Sequence, residues 1–285
     1  MDKKRLIIAV PASVISDTPH LREKTSKIGL IGRAAAIFRV DEIVVYRDDP
    51  NEKQTSELEL IATLLSYLET PQYLRKRLFK IEPRLQFAGI LPPLRTPHHP
   101  ASGKVKDLNP GDYREGVVLS QASEGLLVDV GVEKPALLRE KEHNVGERLT
   151  LQIVRVGGQV EVQAANRADV AEYWGYAVKV ERDSLKRAVE NVHADLVLGT
   201  SRKGEEFANV ADQLKHKLGQ ASSVLVVFGS PARGLYEIAA DEGLRLDKLV
   251  DFVLNVVPCQ GTETVRTEEA VLATLAVLNV EFRCW

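Results

Sequence analysis

The sequence contains few cysteine, methionine and aromatic residues, and it has no long apolar run. Its two cysteines, Cys259 and Cys284, are too few for a disulfide scaffold or a cysteine-rich zinc site. The apolar run Leu6–Val10 is too short for a signal peptide or a membrane span. The 285 residues are 44% hydrophobic with a formal net charge of −2, as in a soluble globular protein of one or two domains. We therefore expect a cytoplasmic protein.

Several motifs of fixed spacing are also missing. No G-x-G-x-x-G follows the first predicted strand and no G-x-x-x-x-G-K-[ST] occurs, so neither a dinucleotide nor a nucleoside triphosphate is indicated. The hydrolase patterns H-E-x-x-H and G-x-S-x-G are absent too. Neighbouring residues on a strand face opposite ways, so we predict that His98 and His99 hold no metal. Cys259 has no obvious base beside it and is interpreted as a packed thiol.

The first third of the chain has the pattern of an α/β domain. Arg5–Val10 and Glu42–Tyr46 are short β-branched runs, typical of buried parallel strands. Ser56–Glu69 places leucine and isoleucine on one helical face and predicts a helix. Gly89–Pro100 contains four prolines, which cannot continue a helix or a central strand, and this stretch indicates a linker.

The middle of the chain changes to short segments with a two-residue hydrophobic period. These segments, between about Gly116 and Ala164, predict a small antiparallel β-barrel of the OB type. After about Asp169 the α/β pattern returns, with strands predicted at residues 195–200, 224–228 and 252–257. The first and last blocks would then form one sheet. We predict a discontinuous α/β domain of residues 1–92 and 170–285, interrupted by a barrel of residues 93–169.

Three predicted strands in the last third each run into a loop that contains glycine. The stretches are DLVLGTSRKG, VLVVFGSPARG and VLNVVPCQGTE, which begin at Asp195, Val224 and Val253. In open α/β sheets, ligands bind beyond the carboxyl ends of the strands. Glycine lets the backbone approach a ligand closely, and loop N–H and C=O groups supply polar contacts. The three loops together predict one ligand pocket, although any single one could be a plain turn.

Three stretches of the sequence resemble the motifs of the SPOUT class of methyltransferases, the α/β-knot proteins. Lys27–Val40 is similar to their first motif, N-x-G-x-I-x-R-x-A-x-x-F-G-V. Val226–Leu235 is similar to the second, whose core is F-G-x-x-x-x-G-L, and Val257–Ala270 to the third, which begins I-P-M-x-G. The chain looks most similar to a subfamily of RNA methyltransferases in which an OB-like barrel splits the knot domain.

This resemblance implies a fold, a cofactor and an assembly. The fold is a parallel-sheet domain with a trefoil knot, a rare exception to the rule against threaded loops. The cofactor is S-adenosylmethionine, and the assembly is a homodimer. Arg33 matches the first motif's arginine, which works at the target nucleotide. The cofactor pocket implied is formed by Gly199, Thr200, Ser201, Phe228, Gly229, Ser230, Gly234, Val257, Gln260, Gly261 and Thr262. Gly229, Gly234 and Gly261 are the positions where a Cβ is expected to crowd the ligand or the turn.

Departures from the motifs bear on the acceptor atom. Lys27 stands where the first motif has asparagine, and Arg39 replaces its second glycine. The third motif's Ser-Leu-Asn run is absent, and Thr264–Glu269 replaces it. Those missing side chains belong to the branch that methylates the ribose 2′-oxygen. A base nitrogen of rRNA or tRNA is therefore favoured over the ribose.

Local basic groups indicate where RNA could bind, although the net charge alone does not point to nucleic acid. The predicted RNA-binding residues are Lys24, Lys27, Arg33, Arg75, Lys76 and Arg233. A solvated helix face is an equal alternative for the basic run Arg75–Lys80. The barrel region is poor in aromatics, so we expect backbone or shape contacts there rather than base stacking. The alternatives to an RNA methyltransferase are a knotted RNA-binding or ribosome-assembly factor without turnover, and another small-molecule α/β enzyme.

Overall fold

Two units are built from interleaved segments of the chain, and the computed structural model describes residues 4–282. The first unit comprises the chain up to Leu68, Pro83–Pro92, and the chain from Tyr176 onward. The second comprises Glu69–Glu82 and Pro93–Gly175. No helix between residues 4 and 282 is long and apolar enough to cross a membrane.

A parallel sheet organises the first unit. Its strands are β1 (Arg5–Pro11), β2 (Glu42–Tyr46), β8 (Ala177–Glu181), β9 (Leu196–Glu206), β10 (Ser223–Val227) and β11 (Phe252–Asn255). Their order across the sheet is β11-β9-β10-β1-β2-β8, with all neighbours parallel. Because β1 lies between β2 and β10, the first and last blocks of the chain share one sheet, as predicted.

Helices cover the sheet and supply the other half of its core. They are α1 (Leu21–Ile37), α2 (Thr55–Glu69), α4 (Leu185–Val192), α5 (Phe207–Gln220), α6 (Leu235–Asp241) and α7 (Thr267–Phe282). The residues of α4 that recur at helical spacing, Leu185, Ala188 and Val192, are buried in a cluster with Ile7 and Leu225 of the central strands. The apolar stripe of a short polar helix is therefore what attaches it to the sheet.

Two parts of the chain differ from the sequence interpretation. The strand β8 was not predicted, because an edge strand carrying Lys179 and Glu181 lacks the apolar run of a buried strand. The proline-rich stretch predicted as a linker contains Leu94 and His98, which are 2% and 1% exposed. Those buried side chains make it a packed segment rather than a free connection.

The second unit contains a closed barrel of five short strands. They are β3 (Tyr113–Ala122), β4 (Gly125–Asp129), β5 (Ala136–Leu138), β6 (Arg148–Arg155) and β7 (Glu161–Ala164), and they close in the order β3-β4-β5-β7-β6. A small helix, α3 (Gln72–Leu78), belongs to the same unit. The predicted barrel is confirmed, but it is not wholly antiparallel, because β5 and β7 pair in parallel.

A buried polar network, which we call the barrel network, joins β3 and β6 to other segments of the second unit. Arg148 donates from Nη1 to Glu69 Oε2 at 2.7 Å and from Nε to Glu115 Oε2 at 2.6 Å. Trp174 Nε1 donates to Glu115 Oε1 at 2.6 Å. The network thus pairs two carboxylates, each about 5% exposed, with one arginine and one indole.

His98 and His99 also meet this network. Their Nε2 atoms lie 3.0 and 2.7 Å from the same acceptor, the carbonyl oxygen of Glu69. The expectation that these rings face opposite ways is wrong, because they lie in a turn rather than on a strand. Among residues 4–282 there is no cluster of three or more His, Cys, Asp and Glu residues that could hold a metal ion.

The network changes the pKa of two of its members. Burial alone would raise the pKa of the Glu69 carboxyl, but the hydrogen bond from His98 and the Arg148 guanidinium lower it to about 2. Burial lowers the pKa of His99 to about 4, assisted by the neighbouring His98. Near neutral pH, Glu69 is therefore charged and His99 is neutral.

Candidate active site

Three loops leave the same edge of the sheet and enclose a cavity of about 470 Å³, which we call the loop cavity. The first loop interrupts β9, and the other two follow β10 and β11. These three strands are neighbours in the sheet and parallel, so the loops lie side by side. The helix α7 supplies the remaining wall. The lining residues are Thr200–Lys203, Gly229–Ala232, Gly234, Glu237, Leu254–Val257, Gln260, Glu263–Val265, Thr267, Ala270 and Thr274.

The first loop is a break in the pairing of β9 with β11. Val253 pairs with Gly199, but the next residue, Leu254, pairs with Glu205, so residues 200–204 are left out of the ladder. A Cβ on Gly204 would lie 2.6 Å from the carbonyl oxygen of Val253, so glycine is needed where the ladder resumes. Arg202 then ties this loop to the third one by donating to the carbonyl oxygen of Glu263 at 3.0 Å.

The second loop is fixed by hydrogen bonds to its own backbone. Tyr46 donates its hydroxyl to the carbonyl oxygen of Phe228 at 2.6 Å, and Thr267 donates to that of Gly229 at 2.9 Å. Burial raises the pKa of Tyr46 well above its ordinary value, so this hydroxyl remains a donor. A Cβ on Gly229 would lie 3.0 Å from the amide nitrogen of Leu235 and 3.1 Å from the carbonyl oxygen of Arg233. The loop therefore leaves little room for any other residue at position 229.

Arg233 is engaged inside the first unit. Its Nη1 lies 2.8 Å from Asp49 Oδ2 and 3.2 Å from Asp241 Oδ2, and its Nη2 donates to the carbonyl oxygen of Asp48. Its neighbours Ala232 and Gly234 line the cavity, whereas Arg233 points to these acidic residues. The prediction that Arg233 faces RNA is therefore not supported, because the side chain anchors the loop to the segment after β2.

The third loop is more open. Cys259 is exposed and has a φ of 55°, in the left-handed region, so its interpretation as a packed thiol is wrong. Gln260 donates from Nε2 to the carbonyl oxygens of Thr262 and Glu263 at 2.9 and 3.1 Å. A Cβ on Gly261 would meet no protein atom within 4 Å, in contrast to Gly229. A Cβ at position 261 therefore would not crowd the turn, and the expectation that it would crowd a ligand stays a prediction.

The helix α7 contributes a wall that contains none of the predicted cofactor residues. Thr267, Ala270 and Thr274 line the cavity, and they recur at i, i+3 and i+7 on one helical face. Thr267 and Thr274 are 3% and 0% exposed. A stripe of small residues on an otherwise leucine- and valine-rich helix is the signal that could have revealed this wall.

The rim of the cavity carries charges of both signs. Lys203 donates to Glu237 Oε1 at 2.5 Å, and this hydrogen bond lowers the pKa of the glutamate. Both side chains are about half exposed, at 56% and 46%. Arg202 and Glu263 lie on the same wall. The cavity therefore combines a charged entrance with a floor of small and apolar residues.

The structure brings most of the predicted cofactor residues together. Those that line the loop cavity are Thr200, Ser201, Gly229, Ser230, Gly234, Val257 and Gln260. Gly199 lies within the ladder, and Phe228 is buried at 1% exposure. Gly261 and Thr262 lie in the third loop without lining the cavity.

The predicted RNA-binding residues are dispersed. Lys24, Lys27 and Arg33 lie on α1, and none of the three lines the loop cavity. Lys27 is 5% exposed and pairs with Asp17 at 2.6 Å and Glu268 at 3.5 Å. Because these carboxylates neutralise it, Lys27 is not presented to a phosphate. Arg75 and Lys76 lie on α3, in the second unit.

The chain is similar to known proteins over nearly its whole length. Residues 5–278 match the family described as "Putative RNA methyltransferase". An uncharacterized protein of Halobacterium salinarum is 35% identical, over 96% of this chain and 98% of its own length. The 28S rRNA (uridine-N(3))-methyltransferases of Mus musculus and Homo sapiens are 34% and 33% identical, over 96% of this chain and 76% and 77% of their own lengths.

Proposed function

Because the chain belongs to the family of putative RNA methyltransferases, we propose that it transfers a methyl group from S-adenosylmethionine to N3 of a uridine in ribosomal RNA. One observation carries the proposal: relatives named rRNA (uridine-N3)-methyltransferases align with 96% of the chain. The family match spans every residue of the loop cavity wall. The departures of the third motif from the ribose-methylating pattern favour the same kind of acceptor.

The loop cavity fits S-adenosylmethionine in size and in chemistry. Its volume lies in the range of small-molecule sites. The charged rim suits the amino and carboxyl groups of the ligand, and the uncharged floor suits its nucleoside. Backbone groups of the second loop, beside Gly229 and Gly234, would hold the ligand, because no Cβ covers them. When bound, the cofactor supplies an activated methyl group.

We also propose that the active form is a homodimer built on α1 and α7. These two helices expose large apolar side chains: Leu30 and Ile37 on α1 are 52% and 50% exposed, and Leu272 and Val280 on α7 are 48% and 68% exposed. Leu30, Arg33 and Ile37 lie at i, i+3 and i+7, on one face of α1. A partner that covers this face would therefore receive Arg33, which we place at the target uridine of the partner's cavity.

At the target uridine, Arg33 would stabilise the negative charge that develops on the base. Methylation at N3 removes a proton from the imide, and negative charge spreads to its carbonyl oxygens. A guanidinium within hydrogen-bond distance stabilises that charge. Lys24 on α1, and Arg75 and Lys76 on α3, remain proposed phosphate contacts, whereas Lys27 and Arg233 are withdrawn because they are neutralised internally.

The SPOUT knot, the OB-like barrel and a cytoplasmic location complete the proposal. The parallel sheet, with loops from three adjacent strands around one cavity, supports the first. The closed ring of five strands supports the second. As a functional division we keep the knot domain at residues 1–92 and 170–285 and the insert at residues 93–169.

Titration with S-adenosylhomocysteine, followed by methyl transfer to ribosomal RNA from a strain that lacks the gene, tests the proposed activity. We expect binding, and a label that maps to N3 of a uridine. Binding without any transfer would favour the alternative, an RNA-binding or assembly factor. No binding by the purified protein would refute the proposal.

The dimer and the role of Arg33 are tested by mixing two inactive variants. Arg33→Ala should bind cofactor but transfer poorly, and Gly229→Val should not bind cofactor. In a mixed dimer, the Arg33→Ala chain keeps an intact cavity and the Gly229→Val chain supplies the arginine. Random mixing should restore about a quarter of the wild-type activity. Absence of any restoration would show that Arg33 does not act across the dimer.

A further inference from the structure

The floor of the loop cavity contains three threonines whose hydroxyl groups differ in one respect. Thr200 donates to the carbonyl oxygen of Val227 at 3.1 Å, and Thr267 donates to that of Gly229 at 2.9 Å. Thr274 Oγ1 is buried and has no hydrogen-bond partner within residues 4–282. The hydroxyls of Thr200 and Thr267 therefore stabilise the cavity wall, whereas the hydroxyl of Thr274 is unsatisfied among the described residues.

An unused hydroxyl in a buried position calls for a physical reason. Thr274 is 0% exposed, and a buried polar group without a hydrogen-bond partner destabilises the fold. A valine has nearly the same shape and would avoid that destabilisation. The position lies on the cavity wall, so a ligand group can supply the missing partner.

The surroundings of Thr274 indicate which part of a ligand would bind its hydroxyl. Ala270, one turn before it on α7, and the buried lining residue Leu254 are uncharged. The charged lining residues Arg202, Lys203, Glu237 and Glu263 are all exposed. A charged ligand group would be desolvated on this floor without a counter-ion. A hydroxyl can both donate and accept, which matches the edge of a neutral heteroaromatic ring that carries an amine beside a ring nitrogen.

We infer that Thr274 is a specificity residue whose hydroxyl hydrogen-bonds the polar edge of the cofactor's adenine. This assignment rests on the proposed function, because it takes an adenosyl ligand for the loop cavity. It adds a side-chain contact from α7 to the backbone contacts expected from the loops.

The test compares Thr274→Val and Thr274→Ser with the wild type by calorimetric titration. The ligands are S-adenosylhomocysteine and S-inosylhomocysteine, which carries an oxo group in place of the exocyclic amine. We expect Thr274→Val to bind the adenosyl ligand about three- to tenfold more weakly, and to lose preference between the two ligands. Thr274→Ser keeps the hydroxyl and should keep the preference. The thermal midpoint of ligand-free Thr274→Val should not fall, because the removed hydroxyl has no partner.

Thr25→Val is the matched control. Thr25 is also 0% exposed, but its hydroxyl donates to the carbonyl oxygen of Leu21 at 2.8 Å, and it does not line the loop cavity. Its replacement should leave both affinities unchanged.

The outcomes separate this assignment from the proposed function. If the wild type and Thr274→Val bound S-adenosylhomocysteine with equal affinity, the role of Thr274 would be overturned and the proposed function would stand. Weaker binding with an unchanged ligand preference would overturn the contact with the adenine edge. No binding of S-adenosylhomocysteine by the wild type would overturn both.

Discussion

The carboxylates of the barrel network and the threonine hydroxyl of the loop cavity are buried in different ways. In the barrel network, both carboxylate oxygens of Glu69 and of Glu115 accept hydrogen bonds, chiefly from Arg148 and Trp174. In the α/β unit, the cavity floor keeps a hydroxyl, that of Thr274, which has no partner within residues 4–282. Polar groups that satisfy one another stabilise a fold, whereas the unsatisfied hydroxyl at the cavity is the group that we assign to a ligand.

Arg233 and Arg33 show that lying in a motif does not by itself fix the role of an arginine. Arg233 lies in a predicted cofactor loop, yet it is held by Asp49 and Asp241 and has a structural role. Arg33 lies on a helix face between two exposed apolar residues. For Arg233, the positions of its counter-charges therefore indicate its role better than the motif in which it lies.

Breaking the barrel network should have the largest effect on stability. Arg148→Met leaves Glu69 and Glu115 buried without their cation, which should cost about 3–5 kcal/mol of unfolding free energy. Urea unfolding, followed by Trp174 fluorescence in a Trp285→Phe background, measures the loss. Affinity for S-adenosylhomocysteine should not change.

Arg139→Met is the matched control for that prediction. Arg139 pairs with Glu161 in the same unit, but its side chain is 60% exposed. An exposed pair contributes at most about 1 kcal/mol. Equal losses in the two variants would contradict the claim that burial makes the network important.

Filling the second loop should have the largest effect on binding. Gly229→Val forces a branched side chain against the backbone of Arg233 and Leu235, and we expect S-adenosylhomocysteine affinity to fall at least a hundredfold. Gly219→Ala, on α5 with no atom within 4 Å of the new Cβ, should bind normally. Unchanged affinity in Gly229→Val would place the ligand elsewhere.

Much of the fold could be predicted from the sequence because its strands have clear patterns. Buried parallel strands such as β1 and β10 are continuous apolar runs, and their long-range pairing follows once the barrel is treated as an insertion. The strand β8 was missed because its exposed edge residues are charged. The parallel β5–β7 pair was missed because periodicity gives strand positions but not their partners.

The loop residues of the site could be predicted from the sequence. The residues whose role depends on tertiary contacts could not. Glycine after a buried strand indicated Gly229 and Gly234, and both line the cavity. Thr274 on the α7 wall was not predicted, because its importance becomes visible only when the structure shows that its buried hydroxyl has no hydrogen-bond partner among the described residues. The burial of Lys27 likewise depends on Asp17 and Glu268, which are distant from each other in the sequence.

Lowering the pH should weaken the barrel. The pKa of His99 is about 4 in the folded chain, below its ordinary 6.5, so between these values the unfolded chain binds a proton that the folded chain does not. The contribution of His99 to the free energy of unfolding is therefore fully present only above pH 6.5, and roughly 3 kcal/mol of it is lost as the pH drops to 4. Glu69, with a pKa of about 2 against an ordinary 4.5, continues the loss below pH 4.5.

Urea unfolding at pH 7.5, 5.5 and 4.0, again with Trp174 fluorescence, measures this dependence. His99→Asn removes the first titrating group and should flatten the curve between pH 6.5 and 4.5. The same slope in wild type and variant would show that His99 does not cause the loss.

The smallest expected effect concerns one backbone angle at the end of α1. Arg39 has a φ of 59°, in the left-handed region, at the position where the related motif has glycine. It is exposed and follows the C-terminus of the helix, where glycine usually provides this conformation. Arg39→Gly should therefore raise the free energy of unfolding by about 0.5–1 kcal/mol, the strain relieved less the added entropy of the unfolded chain. Arg39→Ala removes the same side chain but keeps a Cβ in the left-handed region, so it should give no such gain. If both variants were equally stable, the side chain rather than the backbone angle would govern this position, and the departure of Arg39 from the motif would have no conformational cost.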